Sequence, residues 1–166
     1  MARGGTSDHP GAANAWLHFS WISNELITPS LLACPGDYGT RAARDWTPGP
    51  SGFLNPSYRA NAVSYFLSLH VDAAEPLSWL AGDRNLESGT YSQGCGLTAV
   101  GTTAVGFDRI LFGPSPVQWS ATNIHLANGN LLLNDGQVHQ TDNLALGNNL
   151  RDSVWFTTRN HVLMPR

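Results

Sequence analysis

The stretch that decides the fold is His125-Leu126-Ala127-Asn128-Gly129-Asn130-Leu131-Leu132-Leu133-Asn134-Asp135-Gly136-Gln137-Val138. An apolar run, Leu131 to Leu133, leads into Asn134-Asp135-Gly136, and Val138 follows. Asp-Gly between two short runs is a strong local hairpin signal, because a type I′ turn needs positive φ at both central residues. The spacing predicts an antiparallel ribbon with its tip at Asp135-Gly136. His125 lies ten positions before Asp135, at the far end of the incoming strand.

Downstream of the ribbon, Asp142 to Asp152 predicts a short helix with Thr141 or Asp142 as its cap. Val154–Thr158 and Val162–Met164 predict a closing apolar pair. Upstream, Arg109 to Phe112 is a short strand candidate. Gly89 to Gly106, rich in Gly, Thr and Ser, predicts irregular structure. Pro76 to Ala81 predicts a strand ending in a polar turn, Gly82-Asp83-Arg84-Asn85. Asn61 to Val71 gives the best alternation in the chain: Val63, Tyr65, Leu67 and Leu69 share one face, Ser64, Ser68 and His70 the other, and Phe66 breaks the pattern. Tyr38 to Tyr58 is rich in Pro, Gly and Arg and predicts a long surface loop. Ser30 to Cys34 predicts a short strand closed by Pro35-Gly36-Asp37. Asn14 to about Leu26 predicts a helix that Thr28-Pro29 ends. Residues 1–13 are small and polar and predict a flexible lead-in, leaving 14–166 as a single domain. Strands in this order around one helix-led segment predict an α+β fold with an antiparallel sheet and long loops.

Bulk properties narrow the function. All 9 basic side chains are Arg, and the net charge is -3. A weakly acidic chain without a basic cluster does not track phosphates, which excludes nucleic-acid binding. No apolar run is long enough to span a bilayer, and no signal-peptide pattern opens the sequence, so the chain predicts a soluble fragment. The two cysteines, Cys34 and Cys95, fit no zinc spacing. One disulfide would suit an exported protein, and a pair of buried free thiols fits as well.

Five segments, in order, resemble one bacterial family. They are Ser23-Asn24-Glu25-Leu26-Ile27-Thr28-Pro29 through Cys34-Pro35-Gly36-Asp37, Ser64-Tyr65-Phe66, Leu80-Ala81-Gly82-Asp83-Arg84-Asn85, the His125-x9-Asp135-Gly136 spacing, and Asn160-His161-Val162-Leu163-Met164-Pro165. Together they resemble the pseudopilin-like proteins related to type IV pilins and to the pseudopilins of type II secretion. Gly36 departs from that pattern, where the family carries Ser. The resemblance implies a pilin-type head: an antiparallel sheet laid against the end of a hydrophobic N-terminal helix. It implies an extracytoplasmic location in the parent protein, and partners that are other pilin or pseudopilin subunits, met through that helix. The helix is absent from this sequence. The sheet face it would cover predicts an apolar patch through which the fragment could form a homodimer.

Two chemical readings stand beside the structural one. His125, Asp135 and His139 could hold Zn²⁺ with an open position for water, which would make a metal-dependent hydrolase. Against this, His125 can fix the hairpin by a hydrogen bond, and Asp135 can serve turn geometry alone. Asn134, Asp135, Asp142, Asn143, Asn148 and Asn149 concentrate oxygen donors, and major pseudopilins carry calcium in their C-terminal loop, so Ca²⁺ is the second metal candidate. Turn and cap chemistry accounts for the same residues. Asp83 and Arg84 read as an acid or base beside an anion holder, or as an internal ion pair at a corner. Glu25, Asp83 and Glu87 supply carboxylates for glycoside hydrolysis, but nothing sets two of them at a working separation. Trp16 and Trp21 should face different sides of the first helix, leaving one exposed for a partner or a sugar. The leading expectation is a structural and interaction module; the competing one is the hydrolase.

Overall fold

The computed structural model describes residues 14–68, 71, 74–88, 104–108, 117–122, 124–154 and 159–165. The expected lead-in at 1–13, the Gly-rich stretch 89–103, the strand candidate 109–112, residues 155–158 and Cys95 lie outside the described residues.

The fold is α+β. Among the described residues, helices α1 (Ala15–Trp21) and α2 (Ser23–Leu26) precede eight strands: β1 Tyr65–Ser68, β2 Trp79–Asp83, β3 Leu86–Ser88, β4 Ala104–Asp108, β5 Val117–Trp119, β6 Asn128–Leu133, β7 Val138–Asp142 and β8 Arg159–Leu163. Helix α3 (Asn143–Val154) lies between β7 and β8. Six strands form one sheet in the order β4-β8-β1-β2-β6-β7, and β3 pairs with β5 separately. Every strand pairing is antiparallel.

Each face of the sheet carries its own core. On one face Phe66, Trp79, Leu131, Leu133 and Val162 pack with Val117 and Trp119 of β5 and Leu146 and Leu150 of α3. On the other, Val63 and Leu163 pack with Ala15 and Phe19 of α1, Leu32, Ala43 and Phe53, with Tyr65 and Leu67 against them. Double coverage explains why Phe66 broke the alternation: on a strand buried on both faces, apolar residues run on rather than alternate. The loop Tyr38–Tyr58 is therefore more than surface. Phe53 is fully buried, and Trp46 meets it edge-on at 5.0 Å between ring centroids.

Several elements differ from expectation for local reasons. The first helix stops at Trp21 and resumes at Ser23; Asn14 makes no side-chain cap bond, and Ile27 takes φ 61. Trp21 is half exposed, whereas Trp16 packs against the core and under the Arg59 guanidinium. Ser30–Cys34 is not a strand. Pro29–Leu32 forms a 3₁₀ turn capped by Thr28, whose hydroxyl accepts from Ser30 N–H, with Pro at its first position. Gly82 and Asp83 are not in a turn but end the central strand β2. A Cβ on Gly82 would lie 2.6 Å from the Phe66 ring, so only glycine lets these strands close.

The ribbon forms as expected, Leu132 opposite Val138 and Leu131 opposite His139. Its tip differs. Gly136 N–H donates to Leu133 O, Leu133 N–H to Gln137 O, and positive φ occurs at Gly136 alone (φ 85). This is a three-residue loop with a left-handed glycine rather than a two-residue type I′ turn. The tip is braced by Asn134 N–H on Ser78 O and Asp135 N–H on Pro76 O. Asp142 caps α3, as expected, by accepting from Ala145 N–H at 2.7 Å.

Candidate functional site

Cys34 to Asp37 leaves the 3₁₀ turn as a tight bend closed by Asp37 N–H on Cys34 O. This bend lands on Ser64, just before β1. The Ser64 hydroxyl accepts from Cys34 N–H at 2.9 Å and donates to Asp37 Oδ2 at 2.8 Å, both buried. The Ser64 backbone is used too: its N–H donates to Leu32 O, and its carbonyl accepts from Arg84 N–H. One small residue thus ties the Cys34 bend to the end of β2.

Arg84 then reaches back to Asp37 with a two-point grip, Nε to Oδ2 at 2.7 Å and Nη2 to Oδ1 at 2.9 Å. This fork geometry is the strong form of the Arg–carboxylate pair. Burial alone would push the Asp37 carboxyl up, but hydrogen bonds from Thr40, Arg84 and Ser64, with the Arg84 charge, hold it below its ordinary 3.8. Asp83, the residue before, ends β2 and is 1% exposed. Its Oδ2 accepts from Asn130 N–H at 2.7 Å and from the Asn130 amide at 3.0 Å. Its Oδ1 has no hydrogen-bond partner among the described residues. Burial raises the Asp83 carboxyl above 3.8; the Asn130 bonds and the nearby His125 offset this only in part.

His125 arrives on an unusual backbone. Ile124, His125, Leu126 and Ala127 all take positive φ, at 22, 56, 46 and 61. Each non-glycine residue in that region costs roughly 1–2 kcal/mol, and for a β-branched Ile it is a real outlier. The turn persists because it is clamped. The Asn85 amide donates to Ile124 O at 2.9 Å and to Asn128 O at 3.0 Å. The Asn128 amide donates to Leu126 O, and Ala127 N–H to Ser120 O. The clamp aims the imidazole inward: His125 Nε2 lies 3.4 Å from Cys34 Sγ and 3.7 Å from Asp83 Oδ2. Cys34 carries a free, buried thiol.

Beside this knot opens a cleft of about 750 Å³. Gly36, Asp37, Tyr38 and Gly39 form one wall, Thr122 and the His125 turn another, with Arg84, Asn85, Leu86, Met164 and Pro165 completing it.

The structure therefore brings together Cys34, Asp37, Asp83, Arg84, Asn85 and His125, with Pro35, Gly36 and Gly82 shaping their backbones. It does not bring together His125, Asp135 and His139. Asp135 sits at the ribbon tip, its Oδ1 accepting from Gln137 N–H at 2.9 Å. His139 is on β7, opposite Leu131, and meets Gln137 Oε1 at 3.1 Å. Among the described residues no cluster of three His, Cys, Asp or Glu is arranged to hold a metal ion. The oxygen donors proposed for calcium have local duties: Asp142 caps α3, Asn143 Oδ1 accepts from Trp119 N–H, the Asn149 amide donates to Ala145 O, and the Asn134 amide to Glu75 O. Asp83 and Arg84 do not pair with each other; Arg84 takes Asp37 and Asp83 takes Asn130. Glu25 and Glu87 are on the surface. Sequence reasoning missed Ser64, Thr40 and Asn130 as partners. A single Ser among apolar neighbours carries no signal of its own; its role appears only when three separated segments meet on it.

Among the described residues no helix is long and apolar enough to cross a membrane. Compared with protein-family models, with curated proteins and with solved structures, the chain finds no match.

Proposed function

We propose that this chain is the head of a pseudopilin-like subunit, a structural and interaction module of an extracytoplasmic filament or secretion apparatus. The observation that carries the reading is the convergence of the resembling segments. Cys34, Asp37, Ser64, Asp83, Arg84, Asn85 and His125 are scattered along the sequence, Cys34 and His125 being 91 positions apart. In space they form one interlocked knot, and Met164-Pro165 borders the same cleft. Most of their polar atoms are consumed by one another, which is what a clasp holding a head together requires. An antiparallel sheet with helix α1 packed on one face agrees with a pilin-type head.

Partners would then be other pilin or pseudopilin subunits, engaged through a hydrophobic stalk helix. The test is to join the chain to a pseudopilin stalk helix and express it in a host that assembles such filaments. Heads recovered in filaments, by electron microscopy and cysteine cross-linking, support the reading. A stalk that assembles alone but is excluded once it carries this head counts against it. The hydrolase reading makes a separate prediction: zinc bound one per chain in protein purified without added metal, and lost in His139→Ala. On the head reading, His139→Ala leaves metal content unchanged and lowers stability by no more than about 1 kcal/mol, the worth of the half-buried imidazole's exposed bond to Gln137.

A further inference from the structure

Among the described residues the knot consumes most of its polar groups; Asp83 Oδ1 and Asn85 Oδ1 are buried without a partner, and the Cys34 thiol meets one neighbour. Cys34 Sγ lies 3.4 Å from His125 Nε2, within hydrogen-bond reach for sulfur, and this contact is all that engages the thiol among the described residues. The same nitrogen faces Asp83 Oδ2 at 3.7 Å. The imidazole thus stands between a thiol and a buried carboxylate whose second oxygen has no partner among the described residues.

The space beside the pair is the second observation. A Cβ built on Gly36 would lie 3.4 Å from His125 Cε1, 3.7 Å from its Nδ1 and 3.8 Å from Cys34 Sγ. With glycine there, a gap of about a methyl group adjoins imidazole and sulfur together. Gly36 and His125 also line the cleft. Glycine at 36 thus leaves a methyl-sized gap between the cleft-lining imidazole and the buried sulfur.

We propose that Cys34 is a nucleophilic thiol with His125 as its base, and that its substrates are small disulfides approaching from the cleft over Gly36. His125 Nε2 takes the thiol proton. The thiolate attacks one sulfur of the disulfide, a new S–S bond forms to Cys34, the old S–S bond breaks, and the departing thiolate collects a proton. Cys34 is oxidised to a mixed disulfide while one half of the reagent is reduced to a thiol. Asp83 is a positioning residue: its buried carboxylate, 3.7 Å from Nε2, attracts the imidazolium that forms through space. The left-handed turn holds the ring so that one nitrogen serves both neighbours. The proposal stands apart from the head-domain reading and does not require it.

The experiment treats the folded, reduced chain with an aromatic disulfide at neutral pH, and follows mixed-disulfide formation at Cys34 by quenched peptide mass mapping. Cys34 is expected to react much faster than the protein unfolds. His125→Gly suits the positive φ of 56 and leaves a hole the shape of the lost ring. It should slow the reaction about tenfold or more, and added imidazole should restore much of the rate, which a merely structural histidine would not allow. Gly36→Ala meets its neighbours at ordinary contact distance, so it should fold, and it should slow the reaction several-fold by closing the approach. Modification of Cys34 only at the unfolding rate overturns the proposal. So does a rate unmoved by His125→Gly and by imidazole. Should His125→Gly fail to fold, Gly36→Ala decides: an unchanged rate there rejects the route over Gly36 and the proposal with it.

Discussion

The two ends of β6 make contrasting turns from similar residues. At the tip, Asn134-Asp135-Gly136 bends with one left-handed residue, a glycine, and Asp135 satisfies Gln137 two positions on. At the other end, Ile124 to Ala127 bends with four left-handed residues and no glycine. Its clamp comes from Asn85, 39 and 43 positions away from the carbonyls it holds. The tip is written locally and is braced from outside by two backbone N–H groups and the Asn134 amide. The His125 turn is imposed by the rest of the molecule. Stored strain of this kind persists only where the surroundings over-determine it, and it tends to collect at sites with a task.

Substitutions that break one turn should spare the other, and their sizes rank the two. The largest effect is expected for Arg84→Met, which leaves Asp37 buried without its partner. Breaking a buried pair costs about 3–5 kcal/mol, and since Arg84 is partly in water the low end applies; urea unfolding measures it. Asn85→Ala should cost about 2 kcal/mol, the worth of two buried hydrogen bonds. Hydrogen exchange should show Ala127 N–H losing protection while the β6–β7 amides keep theirs. Equal loss along the whole ribbon would mean that the two turns are not independent. Gly136→Ala should cost about 1 kcal/mol, because nothing crowds the site and only the φ of 85 resists a side chain. It should leave the environment of His125 unmoved, as read by the His125 imidazole resonances.

The smallest effect is one of pH, and it separates the two aspartates. Asp37 is held below 3.8 in the fold, so its stabilisation is complete above that value and lost as pH falls through the lower, folded value. Asp83 is raised, so the native state holds the extra proton between 3.8 and its folded value. Stability therefore rises as pH falls through that folded value toward 3.8. Thermal melts should show a gain on mild acidification followed by a loss below 3.8. Asp83→Asn should abolish the gain and keep the loss. A monotonic fall in both proteins would show that Asp83 is not strained by burial.

The same contrast explains what the sequence disclosed. The ribbon, the Asp142 cap and the α+β class were legible, because Asp-Gly, Asp before a helix and alternating runs act over a few residues. The one-residue error at the tip, type I′ against a three-residue loop, is invisible locally because Asn-Asp-Gly suits both. Gly82-Asp83-Arg84-Asn85 reads as a turn by composition, yet Gly82 and Asp83 end a central strand and the chain bends only at Arg84, because Ser64, Asp37 and Asn130 satisfy its polar groups from elsewhere. The candidate site was half legible. Ordered resemblance marked Cys34, Asp37, Asp83, Arg84 and His125, but not which of them would touch. Pairing His125 with Asp135 and His139 assumed that neighbours on one ribbon converge. An extended strand separates them instead.

Strand β8 has a consequence for biosynthesis. It lies inside the sheet between β4 and β1, and sends Val162 to one core and its neighbour Leu163 to the other. Neither apolar layer can close on a nascent chain until residue 163 has cleared the ribosome exit. Until then the edges of β1 and β4 stay open to any passing strand. A ribosome stalled shortly before that point would hold an adhesive intermediate, so secure folding of this chain depends on finishing it.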